Sequence, residues 1–142
     1  MDKEIRELVC YRFDRAKELV EVAKELINMG KYKDANNRSY YAAFYAMKAV
    51  YTLKGEDFRK HKTLLASFNK EFVATEIFPR ELGRKISTLS LIREQSDYND
   101  FYIASKQESQ QQVEIAEELV NAVESYLHEQ GCELQMKIKH TL

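Results

Sequence analysis

Arg93 and Asp97 stand four residues apart, one helical turn, and with His61 they are the side chains best suited to handling an anion or moving a proton. A guanidinium stays charged at any physiological pH and matches carboxylate or phosphate oxygens with two parallel donors. As helix neighbours, Arg93 and Asp97 can simply pair, a contact worth about 0.2–0.5 kcal/mol. In a groove with a polar neighbour, the same Arg93 would contact phosphate. Of the three histidines, His128 falls at the exposed end of the last helix and His140 in the tail, where solvation is the expected state. His61 opens a helix, where it serves either as a structural or capping residue or as a proton carrier. Arg38 lies three residues before Tyr41 and seven before Tyr45, so the three share a face of one helix. On so apolar a helix Arg38 must find a carboxylate (Asp97 is one candidate), backbone carbonyls or an anionic ligand. The chain has no glycine-rich phosphate loop, no H-E-x-x-H, no paired cysteine ligands and no G-x-S-x-G. No metal and no cofactor is expected.

These residues need a frame, and the run Tyr40 to Leu53, YYAAFYAMKAVYTL, supplies its centre. Four alanines favour helix, neither Gly nor Pro interrupts, and Lys48 is the only charge. At about 1.5 Å per residue the rod is about 21 Å long. That is short of the roughly 20 apolar residues a membrane span needs. A helix apolar nearly all round is covered by neighbours on several sides. Before it, Lys3 to Met29 places apolar residues in steps of three and four, with Asp2 as cap and Gly30 as terminator. Asp34 is the expected cap of the central helix and Gly55 its end. A third helix is expected from Lys60 to Ala74, and a fourth with Pro79 in its first turn. The fourth turns Leu82, Ile86, Leu89 and Ile92 inward. Ser105 and Glu108 form a capping box for the last helix, whose buried stripe runs from Val113 to Leu127.

The expectation is an all-α antiparallel bundle of about five helices over residues 1–130, followed by a tail, 131–142. Leu134, Met136 and Ile138 alternate in that tail, as in a short strand or a clasp, although a frayed end is the simpler expectation. With 142 residues the chain is one domain with room for a real core. Lys and Arg number 22 against 23 Asp and Glu, which argues against a general polyanion binder but leaves room for a local basic patch. Two cysteines far apart and a charged N-terminus without an apolar signal region point to the cytoplasm.

Taken together, these elements resemble the HEPN superfamily, small helical domains of higher eukaryotes and prokaryotes proposed to bind nucleotides. The pattern N-R-x-Y-Y-A-x-F-x-A is matched by Asn37, Arg38, Tyr40, Tyr41, Ala42, Phe44 and Ala46. A histidine opening the next helix is matched by His61, and F-N-K-E-F-V by Phe68 to Val73. An R-x-x-x-D-Y element is matched by Arg93, Asp97 and Tyr98. The resemblance covers Met1 to about Leu127. It implies a homodimer, and a ligand site from Asn37, Arg38, Tyr41, Asp97 and Tyr98 beside Arg93 and His61. Many such proteins are metal-independent ribonucleases, toxins paired with a small nucleotidyltransferase. In those, an arginine precedes a histidine by a short spacer on a late helix; here the matching positions after Arg93 are Tyr98, Asn99 and Asp100, so that histidine is absent. Tyrosine, with a pKa of about 10, is a poor substitute for imidazole near neutral pH.

Three readings follow from the resemblance. One is a dimeric module binding a nucleotide, RNA or a partner, in a two-component system with a nucleotidyltransferase. A second is an RNA-cleaving toxin using Arg93 with His61, and a third a purely structural dimer. In the paired systems the partner enzyme adds nucleotides to a tyrosine near the motif, a role to which Tyr98 and Tyr102 correspond.

Overall fold

The computed structural model describes residues 2–134. Asp2 accepts the Glu4 amide at 2.8 Å and opens α1 (Lys3–Asn28). Gly30 adopts φ of +76°, and the Lys31 amide bonds back to the Leu26 carbonyl at 2.9 Å. This left-handed termination reverses the chain within three residues, so α2 (Tyr32–Leu53) returns along α1. The central helix thus begins eight residues before its most apolar run. Asp34, expected as its cap, lies inside the first turn, and Lys31 holds the cap position without a side-chain bond. The Asp34 carboxylate there still faces the positive end of the helix dipole.

A polar connection leads to α3 (His61–Phe68), which is shorter than the sequence suggests. It widens at once into a π-helical turn, Asn69–Val73. Hydrogen bonds five residues apart put residues five apart on one face. Phe68 and Val73 are therefore buried together with Phe72, whereas an unbroken α-helix would turn Val73 aside. Pro79 stands one residue outside α4 (Arg80–Tyr98) rather than in its first turn. Leu82, Ile86 and Leu89 are buried as expected, and Ile92 only half so. Ser105 caps α5 (Lys106–Glu129) by accepting the Glu108 amide at 3.0 Å. The return half of the capping box is replaced: the Glu108 carboxylate takes the Tyr102 hydroxyl at 2.5 Å instead.

Cross-helix contacts give the directions. Cys10 meets Glu133 and Lys24 meets Glu117, so α1 and α5 run antiparallel. Asn37 meets Asp97 while Tyr40 meets Arg93, so α2 and α4 do likewise. The fold is an all-α bundle with α2 at its centre, touching each of the other four helices. Ala42, Ala43, Ala46 and Ala49 are fully buried there and allow close approach. The aromatic rings of Tyr51, Phe68, Phe72, Phe78 and Tyr126 fill the space around the π turn. No helix among the described residues is long and apolar enough to cross a membrane. The strand or clasp expected at Met136 and Ile138 lies outside the described residues.

Candidate functional site

The antiparallel pairing of α2 with α4 sets Asn36, Asn37 and Tyr40 against Ser96, Asp97 and Arg93. Arg93 is only 8 % exposed. Its guanidinium carbon lies 4.6 Å from the Tyr40 ring centre, 5.8 Å from Tyr41 and 6.0 Å from Tyr98. Ring faces carry partial negative charge, so they hold the cation while shielding it from water. One carboxylate completes the seat: Arg93 Nη1 is 3.5 Å from Asp97 Oδ2. Burial opposes the charge on Arg93, yet Tyr40, Tyr41 and Asp97 together hold its pKa above the ordinary arginine value. Among the described residues Arg93 Nε has no hydrogen-bond partner.

The same carboxylate oxygen accepts Asn37 Nδ2 at 3.0 Å, and Asn37 Oδ1 accepts Arg38 Nε at 2.9 Å. Arg38 Nη2 donates to that oxygen as well, and its guanidinium lies 5.6 Å from the Tyr41 ring centre. Asp97 therefore binds Arg93 directly and reaches Arg38 only through Asn37. The direct Arg38–Asp97 pair that the sequence left open does not form; Asn37, one residue before Arg38, occupies the carboxylate first.

His61 comes to this cluster from α3. Its Nδ1 is 3.4 Å from Arg93 Nη2, and its ring packs 4.3 Å from the Phe44 centre and 5.3 Å from Tyr41. Guanidinium nitrogens only donate, so Nδ1 is the acceptor and the imidazole is neutral, with its proton on Nε2. Burial, then the charges of Arg93 and Lys48, push the His61 pKa below its ordinary value, in keeping with that neutral form. The arrangement is a neutral imidazole touching a fixed cation, with a second arginine one relay away and a single carboxylate between them.

Seven of the residues singled out from the sequence thus meet in space: Asn37, Arg38, Tyr41, His61, Arg93, Asp97 and Tyr98. Tyr98 is 76 % exposed at the end of α4. Tyr102 stands apart, tied to Glu108; burial and that carboxylate push its pKa up to about 12. Tyr40 is the contributor that motif reading missed as a site residue, although it is the ring closest to Arg93. Asn36, which donates to Ser96 at 3.1 Å within the core, was missed too. The available signal was an asparagine four residues before Tyr40 on a face that must be buried.

Residues 9–126 match the model of the HEPN domain family, and the chain belongs to that family. A "UPF0332 protein" of Thermotoga maritima is 32 % identical over 126 residues, covering 89 % of this chain and 96 % of that protein. "Putative toxin MJ0142" of Methanocaldococcus jannaschii is 29 % identical over 114 residues, 80 % of this chain and 78 % of that one. "Putative toxin MJ0605" of the same organism is 32 % identical over 98 residues, covering 69 % and 73 % of the two chains. The crystal structure of TT1696 from Thermus thermophilus shares the fold, with a TM-score of 0.69 at 19 % identity over 82 % of this chain and 96 % of that one.

Proposed function

We propose that this protein is a phosphate-binding HEPN module, working as a homodimer that holds a nucleotide or RNA and is paired with a nucleotidyltransferase in a toxin–antitoxin system. The observation that carries the reading is Arg93: a buried guanidinium fixed on three aromatic rings beside His61, with Arg38 near and one carboxylate shared between them. Positive charge exceeds negative there, which suits a phosphate. The word toxin in the names of two relatives supports the setting.

One feature favours the homodimer. Leu91 and Tyr98, seven residues apart on α4, and Phe101 just beyond it are exposed apolar surface available for that contact. Tyr98 and Tyr102 are the tyrosines this reading offers to the partner enzyme for nucleotide addition. The cytoplasm is the compartment in which such a pair operates.

The test is titration of isotope-labelled protein with a nucleoside monophosphate, following the His61 ring and Arg93 guanidinium resonances. Both should shift in saturable fashion, and light scattering should give twice the chain mass. Unmoved resonances at millimolar ligand would sink the proposal.

The His61–Arg93 contact favours one second reading, metal-independent RNA cleavage. Arg93, turning onto the scissile phosphate, would free the Nδ1 lone pair to take the 2′-hydroxyl proton. The 2′-oxygen then attacks phosphorus, Arg93 offsets the added charge, and the 5′-oxygen leaves with a proton from water while His61 releases its own to solvent, giving a 2′,3′-cyclic phosphate and a 5′-hydroxyl. Cleavage of a mixed RNA pool by wild type, lost in both Arg93→Ala and His61→Ala with folding intact, would establish it. Intact RNA under all conditions would remove it.

A further inference from the structure

We propose that Asp57 is a positioning residue for the phosphate site: its carboxylate, clamped between α1 and α2, fixes the connection that sets His61 against Arg93. This rests on the reading of His61 and Arg93 as the pair that meets the ligand. Lys48 and Thr52 stand one turn apart on α2. The Thr52 hydroxyl donates to the Lys48 carbonyl at 2.7 Å, which leaves its oxygen to accept Arg12 Nη1 at 2.6 Å. Arg12 is thereby aimed across from α1, and its two Nη atoms meet the two Asp57 carboxylate oxygens at 3.4 Å each. Lys48 Nζ reaches the same carboxylate at 3.3 Å. The Arg12 and Lys48 side chains are 14 % and 16 % exposed, so one carboxylate supplies counter-charge to two largely desolvated cations. Burial opposes the charge on Asp57, yet the Phe58 amide, Lys48 and Arg12 hold its pKa below the ordinary carboxylate value.

Asp57 and Phe58 anchor the chain just before α3. Asp57 Oδ1 accepts the Phe58 amide at 2.9 Å, and the Phe58 ring meets Tyr51 edge-on at 4.7 Å. Arg59 and Lys60 are exposed, Lys60 is extended, and His61 follows at once. The clamp therefore decides where the first turn of α3 begins, while Leu64 and Phe68 seat the helix further along. A second thread runs through Lys48. Its Nζ lies 5.4 Å from the centre of the Phe44 ring, against which His61 packs at 4.3 Å. Asp57 thus controls both the backbone entering His61 and the cation that shares its aromatic platform. With the ring so held, Nδ1 meets Arg93 and the Nε2 proton is left to donate to a phosphate oxygen.

The experiment follows the His61 ring of the full chain by NMR through a pH titration, in wild type, Asp57→Asn and Asp57→Glu. His61→Gln identifies its signal among the three histidines. Asp57→Asn is isosteric at a side chain 57 % exposed, so folding by circular dichroism is kept. The groups facing the ring are Tyr40, Tyr41 and Lys48 from α2 and Arg93 from α4. Beside these cations, deleting a carboxylate lowers an imidazole midpoint by charge alone, whereas release of the ring into water raises it. Asp57→Asn should raise the midpoint toward the ordinary value of about 6.5, and Asp57→Glu should return it to that of wild type. Titration of the same proteins with a nucleoside monophosphate is the second readout. Loss of the His61 hydrogen bond to a charged ligand should weaken binding about tenfold in Asp57→Asn, with recovery in Asp57→Glu. An unchanged or lower midpoint in Asp57→Asn overturns the inference, and so does monophosphate binding as tight as that of wild type. The same holds if Asp57→Glu shares both defects. A wild type that binds no monophosphate refutes the phosphate reading instead, and the midpoint alone then decides whether Asp57 seats His61.

Discussion

Gly83 fixes how closely the helix bearing Arg93 lies against the π turn, and Gly83→Ala measures that contact. A Cβ at this position would stand 2.6 Å from Val73 Cγ1, 3.2 Å from Cγ2 and 3.4 Å from Val73 Cβ. In an open helix the substitution stabilises by about 1 kcal/mol, because glycine costs that much relative to alanine. Here the obstructing atoms belong to a β-branched side chain, buried and stiff about χ1, so a contact of 2.6 Å is not relieved by a rotamer change. Forcing one methyl into packed core costs about 1–3 kcal/mol. The net expectation is a loss of about 1 kcal/mol, or a melting temperature lower by about 4 °C. The second half of the cycle isolates the cause. In a Val73→Ala background the obstruction is gone, and Gly83→Ala should stabilise by about 0.5–1 kcal/mol, a coupling of about 2 kcal/mol. Urea unfolding followed by circular dichroism gives all four values. Gly83→Ala stabilising the otherwise wild-type chain by about 1 kcal/mol, with no coupling to Val73, would refute the close packing of α4 on the π turn.

Three further outcomes follow from the titrating groups. His61 is held below its ordinary pKa by burial and by Arg93 and Lys48, so between the two values the unfolded chain binds more protons than the folded one. Stability therefore falls as pH drops through that window, and the loss from pH 7 to 5.5 should be smaller in His61→Gln; equal losses would contradict the burial. Cys10 is pushed up to about 11, chiefly by burial, so alkylation at pH 8 should proceed only once denaturant is added. Rapid labelling of Cys10 in native protein, read by mass spectrometry, would count against its placement beneath the Glu133 carbonyl. Tyr102, raised to about 12 by burial and Glu108, should remain un-ionised at pH 10.5 in ultraviolet titration and ionise at lower pH in Glu108→Gln. The difference between wild type and Tyr102→Phe identifies its signal, and a Tyr102 midpoint near 10 in the wild type would remove the Glu108 contact.

Much of the frame was legible because it rests on local rules. The apolar run from Tyr40 to Leu53 could only be central, and Asp2, Gly30 and Ser105 mark helix ends by chemistry that acts within a few residues. The π turn was not legible, since Phe68 and Phe72 fit an α-helical pattern by themselves and only the partner surface at Gly83 demands Val73 beside them. Glu108 looked like half of a capping box, and nothing local announces that Tyr102 claims its carboxylate. The site divides in the same way. Arg93 with Asp97 is a one-turn spacing visible in the sequence, whereas the approach of His61 to Arg93 spans 32 residues and depends on α3 folding back over α2. Tyr40 escaped notice as a site residue because a tyrosine on a buried face reads as core. It is both core and the platform on which the guanidinium rests.

The most direct test of the account is RNA binding by wild type, Arg93→Met and Arg84→Ala, measured by anisotropy at one salt concentration with folding verified for each. Arg93→Met keeps the length and packing of the side chain but not its charge, and Arg84 is an exposed arginine on the same helix. Arg93→Met should weaken binding at least tenfold while Arg84→Ala stays within twofold. Equal losses in the two variants, or none in either, would contradict a phosphate site built on Arg93.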